Sequence, residues 1–206
     1  MRNAGTLGGN IANGSPIGDS MPLLIALGAQ VILMREDRQG RVRHRHVAVE
    51  ALYTGYRQNV MRADEVLAWV VVPRPMAGEF LRVYKVSKRR EDDISAVCLA
   101  LGLNLDSHRR VRSVRIGAGG VAATPVRASV AEAALRSAGT WSAAAAAAGG
   151  QALQSTLTPI GDMRASAAYR RHLLGSLMRR AWLDFEGHTA IDIQRLRVDA
   201  VSGVLA

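Results

Sequence analysis

Hydrophobic and polar positions alternate between two regimes along the chain. After a Gly/Asn/Ser-rich opening, Asp19 or Ser20 is placed to cap a short helix through Leu23, Leu24, Ile25 and Leu27, with Gly28 as its stop. "AQVILM" then reads as a buried strand, and "REDRQGRVRHRHV" as an exposed hairpin around Gln39-Gly40. "EALYTGYRQN" reads as a loop or a short helix, and "EVLAWVVVP" as a strand that breaks at "PRPMAG". Beyond Glu79, "EFLRVYKVS" and "VRSVRIGAGG" read as strands, and "ISAVCLALGLNL" as a strand or a helix-to-strand segment between them.

From Arg127 the pattern turns helical: "ASVAEAALRSAG", an alanine-rich stretch from Trp141 to Gln154, and a long "DMRASAAYRRHLLGSLMRRAWLDF". In the last, Tyr169, Leu173, Leu177 and Ala181 repeat at four-residue spacing beside Leu174, Met178 and Trp182. This predicts a packing face with the arginines outside it. Strands followed by strands and then by helices indicate an α+β fold with antiparallel pairing, without internal repeats.

Composition narrows the picture only a little. The 206 residues are 49% hydrophobic and 21% charged, a globular balance. The longest apolar run, Met21 to Met34, is interrupted by Pro22, Gly28 and Gln30 and falls short of the roughly 18 residues of a membrane span. A turn-rich segment precedes it, unlike a signal peptide, so the expected location is cytoplasmic. The net charge of +10 comes from arginine, Lys85 and Lys88 being the lysines. It predicts non-specific attraction to anions, and the lack of interleaved aromatics leaves a basic nucleic-acid-binding module as the less favoured third reading.

One cysteine, Cys98, excludes an internal disulfide and a four-thiolate iron–sulfur cluster, and in "SAVCLAL" it reads as a small buried hydrophobe. His44 and His46 share a strand face but have no third ligand nearby, which reads as an exposed hairpin. Ser15, His108, His172 and His188 form no nucleophile–base grouping in sequence. The opening "TLGGNIANGSPIGD" has two readings. It is a structural turn, or a loop whose paired glycines let backbone N–H groups approach a phosphate, flanked by Thr6 and Asn10 and closed by Asp19.

Four stretches, in order, resemble the FAD-binding region of the molybdenum hydroxylases. They are "RNAGTLGGNIANGSPIGDSMPLLIALGA", "YKVSKRREDDIS", "RIGAGGVAATPVRA" and "DMRASAAYRRHLLGSLMRRA". The intact "RREDDI" is similar to the xanthine dehydrogenase branch rather than the carbon monoxide dehydrogenase branch. The resemblance implies the end of an FAD-binding domain, a mixed sheet with helices, over residues 1–76. An antiparallel sheet with helices on one face would follow over 77–185, and a tail over 186–206.

By motif, the resemblance places flavin contacts at Thr6, Leu7, Gly8, Gly9, Asn10 and Asp19. It adds Leu67 packing on the cofactor, Lys85 near the isoalloxazine ring, and Asp92 toward the flavin and its nicotinamide partner. It implies FAD as cofactor, with two-iron, two-sulfur clusters and molybdopterin on a missing region or partner subunit, and NAD as acceptor. Neither membrane nor nucleic acid is an implied partner. It also implies that the domain begins before Met1, leaving an unpaired edge and exposed apolar surface. The competing expectation is a non-catalytic fragment that cannot hold FAD alone and acts only with partner chains.

Overall fold

The computed structural model describes residues 5–89 and 94–188. The glycine-rich opening is not a loop: helix α1, Leu7–Asn13, is capped by Thr6, whose Oγ1 accepts from Gly9 N at 3.0 Å. It closes at Gly14, which has the left-handed φ of 58° that suits glycine. Adjacent glycines oppose helix formation, but a threonine cap and a left-handed stop fix both ends. Helix α2, Ser20–Ala26, follows and is buried along most of its length.

Three strands, β1 (Gln30–Glu36), β2 (Val42–Ala48) and β5 (Val66–Val71), form the first sheet in the order β2-β1-β5. Both pairings are antiparallel, where a mixed sheet was expected. Between them lie a single 3-10 turn, Val49–Ala51, and a small hairpin of β3 (Tyr53–Gly55) and β4 (Gln58–Asn59). Ile11, Met21, Ile25, Val31, Leu33 and Leu52 make the first apolar cluster, beneath α1 and α2. The opposite sheet face is open, with Val66, Trp69 and Val71 exposed, Trp69 by 64%.

A four-stranded antiparallel sheet follows, β6-β7-β8-β9, from Phe80–Val86, Val97–Leu105, Val111–Gly119 and Val126–Arg127. "ISAVCLALGLNL" is therefore strand. Helices α3 (Ser129–Ala138), α4 (Ala143–Thr156) and α5 (Ala167–Phe185) bury one face against Leu99, Leu101, Leu103 and Ile116. The molecule is thus α+β, with helices packed on that face as expected. The other face is lined by the alternate residues Cys98, Ala100 and Gly102 of β7 and Gly117 and Gly119 of β8. Their small side chains seat α2: a methyl on Gly117 would lie 2.0 Å from Pro22 O, and one on Gly102 would lie 3.1 Å from Ala26 O. With both faces covered, β7 is buried almost end to end.

The packing face of α5 is the expected one except at its first turn, with Leu173 and Trp182 also packed against the core. Leu174, Leu177, Met178 and Ala181 are buried, whereas Tyr169 is 48% exposed. Arg170 takes the buried end of that face at 1% exposure, so the expectation that arginines stay outside fails there. Its guanidinium is accommodated because Nη1 donates to Ala96 O (2.5 Å) and Gly120 O (2.9 Å), and Nη2 to Asp162 Oδ1 (2.6 Å).

Candidate functional site

The site grows from the anchoring of α1. At its C-terminal end the last carbonyls are taken by the small hairpin: Tyr53 OH donates to Ile11 O and Asn59 Nδ2 to Ala12 O, both at 3.0 Å. At its start, Thr6 occupies itself with Gly9 N, and Leu7 is half exposed. Gly8 faces β5, where an added methyl would sit 3.6 Å from Leu67 Cδ2. The structure thereby brings together Gly8 and Leu67, predicted 59 positions apart in the chain. Leu67 itself is partly buried against the first cluster.

Asn10 links this end to α2, its Oδ1 accepting from Ser20 Oγ at 2.5 Å. Asp19 precedes α2 but makes no side-chain cap bond, which corrects its expected capping role. Its carboxylate turns to the second sheet instead. Oδ2 pairs with Lys85 Nζ at 2.9 Å, and Oδ1 accepts from the Ser95 hydroxyl. The reason is the seat of α2 against Cys98 and its neighbours, which delivers Asp19 to the Lys85 position of β6, the cross-strand partner of Cys98. Both Asp19 and Lys85 keep about 40% of their side chains exposed, so the pair adds little stability, about 0–1 kcal/mol, and mainly fixes where the ammonium stands.

Cys98 beneath them is 1% exposed. Burial, reinforced by the nearby Asp19 charge and opposed by Lys85, pushes its thiol up to about 12. That fits an inert packing residue rather than a nucleophile. Asp92 lies outside the described residues. His44 and His46 stand with ring centroids 6.0 Å apart, and His46 Nδ1 meets Gln30 Oε1 at 3.3 Å.

Two residues at the site escaped sequence reasoning. Ser95 is fully buried and holds Asp19 from β7's approach, and Arg170 secures the neighbouring Ala96 carbonyl. Ser95 carries no sequence signal. Arg170 carries one, its four-residue spacing from Leu174 on the apolar face.

Residues 1–75 match the FAD binding domain in molybdopterin dehydrogenase, and residues 82–185 match the CO dehydrogenase flavoprotein C-terminal domain. The xanthine dehydrogenase of Calliphora vicina is 36% identical over 128 residues, 61% of this chain and 9% of that protein. Two solved structures share the fold. One is a carbon monoxide dehydrogenase from Hydrogenophaga pseudoflava that lacks the Mo-pyranopterin moiety of the molybdenum cofactor (TM-score 0.78, 30% identity). The other is reconstituted CO dehydrogenase from Oligotropha carboxidovorans (TM-score 0.77, 29% identity). Each match covers 87% of this chain and 60% of the solved one. The chain therefore spans three fifths of those structures and about a tenth of the curated relative.

Proposed function

Because the chain belongs to the family of the CO dehydrogenase flavoprotein C-terminal domain, we propose that it is the FAD-holding, electron-transfer portion of a xanthine dehydrogenase-like molybdenum hydroxylase. In this reading, residues 1–76 belong to an FAD-binding domain, residues 77–185 form the domain beside it, and residues 186–206 follow as a separate segment of the chain. FAD held here would take electrons from two-iron, two-sulfur clusters, and the reading includes a molybdenum subunit as partner, NAD as acceptor and a cytoplasmic location.

The observation that supports the reading is that α1 and β5 bring Gly8 to contact distance of Leu67, two residues that the family resemblance assigns to the flavin. Thr6, Leu7, Gly8, Gly9 and Asn10 would line the cofactor, with the Gly9 N–H already given to Thr6 Oγ1 and the Asn10 N–H to Thr6 O, and Leu67 would pack on it. Lys85, fixed by Asp19, would place a positive charge where negative charge gathers, and Asp92 would act on the same side. FAD, when bound, supplies the redox chemistry; the protein orients it and sets its electrostatics.

Flavin fluorescence titration tests the assignment, on the full chain alone and with its iron–sulfur and molybdenum partners. The Gly8→Ala methyl meets Leu67 at ordinary contact distance, so the fold should persist while FAD affinity falls at least tenfold. A folded Gly8→Ala protein with unchanged affinity, or uptake by neither the chain nor its assembly, overturns it.

A further inference from the structure

A basic cavity lies at the far tip of the first sheet. There the face that buries Val31 and Leu33 turns abruptly basic, because Leu33 pairs with Arg45 and Arg35 with Arg43 across β1 and β2. Residues directly opposite in an antiparallel pair project to the same side. Arg35, Arg43 and Arg45 are joined by Arg41 and Arg62 around a cavity of about 530 Å³. Like charges this close repel, so the arrangement requires compensation.

Carboxylates supply part of it. Glu65, 8% exposed, grips Arg45 through two parallel bonds, Nε to Oε1 at 2.7 Å and Nη2 to Oε2 at 2.8 Å, and also accepts from Arg62 N. Asp37 accepts from Nε of both Arg41 and Arg43, and Asp64 pairs with Arg35 at 3.3 Å. The Arg45 bonds hold the Glu65 carboxyl down to about 2, so it is ionised throughout the physiological range. Three carboxylates thus face five arginines, a surplus of two positive charges. Among the described residues, Arg62 makes no side-chain ion pair, and Arg43 engages Asp37 through Nε alone, leaving its terminal nitrogens available.

We propose that this arginine-lined cavity binds a phosphorylated small molecule carrying two or more negative charges. Planar guanidinium groups match phosphate oxygens in bidentate fashion. The cavity volume lies in the range of roughly 300–1,000 Å³ used for small ligands. Glu65 and Asp37 hold the arginines in place beforehand, which lowers the ordering cost of binding. None of the residues proposed for the flavin lines this cavity, so the inference does not depend on that reading.

Inorganic pyrophosphate, titrated calorimetrically into the full chain at physiological salt, is the probe. One-site saturable binding is expected. Arg43→Ala/Arg62→Ala, which leaves the Glu65–Arg45 grip intact, should weaken it at least tenfold without changing FAD uptake. Gly8→Ala should leave it unchanged. Arg112→Ala/Arg171→Ala, at exposed arginines elsewhere, should also leave it unchanged. Absence of saturable binding, or equal loss in the Arg112/Arg171 control, overturns the proposal. Retention of a polyglutamate peptide with no pyrophosphate binding does so as well, by assigning the cavity to an acidic protein segment.

Discussion

Replacing Arg170 by methionine keeps most of its length and removes its charge. The variant loses two hydrogen bonds to the carbonyls of Ala96 and Gly120 and one to Asp162. Bonds from a charged donor contribute about 1.5–3 kcal/mol each, so the two buried ones amount to about 3–6 kcal/mol gross. The Asp162 carboxylate is 30% exposed, and its share is screened to about 1 kcal/mol or less. Against these losses stands relief from burying a guanidinium whose Nε has no partner, an offset of about 1–2 kcal/mol for an unsatisfied buried group. The net expected loss is about 1–6 kcal/mol, a substantial part of the roughly 5–15 kcal/mol typical of a domain.

Urea unfolding followed by tryptophan fluorescence measures that loss, with Arg171→Met, one position along and exposed, as the control. The pH dependence adds a second readout. Burial raises the Asp162 pKa, but backbone N–H donation from Arg164 and Ala165 and the Arg170 bond outweigh it and hold the carboxyl at about 2. A carboxylate depressed in the folded state stabilises above its unfolded pKa of about 3.9, and that stability drains as pH falls toward 2. The gap between wild type and Arg170→Met should therefore narrow between pH 4 and 2. A loss below about 1 kcal/mol at neutral pH, or one matched by Arg171→Met, would refute the clamp.

Two further outcomes follow from the seat of α2. Gly117→Ala would set a methyl 2.0 Å from Pro22 O, backbone that cannot swing aside. It should cost about 1–3 kcal/mol in thermal unfolding and lower FAD affinity together, and an unchanged melting temperature would contradict the packing described. Cys98, with its thiol pushed up to about 12, should react with a disulfide reagent at pH 8 at least tenfold more slowly in the native chain than in urea; equal rates would show an open site.

The elements themselves were largely legible, because strand alternation, Gly/Pro breaks and alanine-rich helical composition are local signals. The four motifs in order carried the family. Three features were not legible, each for a physical reason. The α1 helix hides behind Gly8 and Gly9, whose composition signals a turn, while the information that decides it sits at the two ends, in Thr6 and Gly14. Arg170 hides because a charged residue on an apolar spacing is ordinarily counted as solvated, and its acceptors lie 74 and 50 positions away. Asp19 hides because its partners, Lys85 and Ser95, meet it only once α2 is laid across the second sheet.

That last point explains the glycines of "RIGAGG" better than any role in contacting a ligand. Gly117 and Gly119 make room for Pro22, and Gly120, at φ 77°, makes room for the Ala96 carbonyl, 2.3 Å from where a methyl would stand. The same carbonyl receives Arg170, and the next residue toward the N-terminus, Ser95, holds Asp19. A second tie runs alongside: Arg115, on the α2-facing side of β8, donates to Ile25 O at 3.0 Å and pairs with Glu50 at 2.5 Å. The two apolar clusters are therefore coupled through α2, and Lys85 on β6 of the second sheet is positioned by Asp19 at the start of α2. Loosening that seat at Gly117 or Arg170 should disturb the proposed flavin site from beneath, whereas Gly8→Ala disturbs it from within and leaves stability alone.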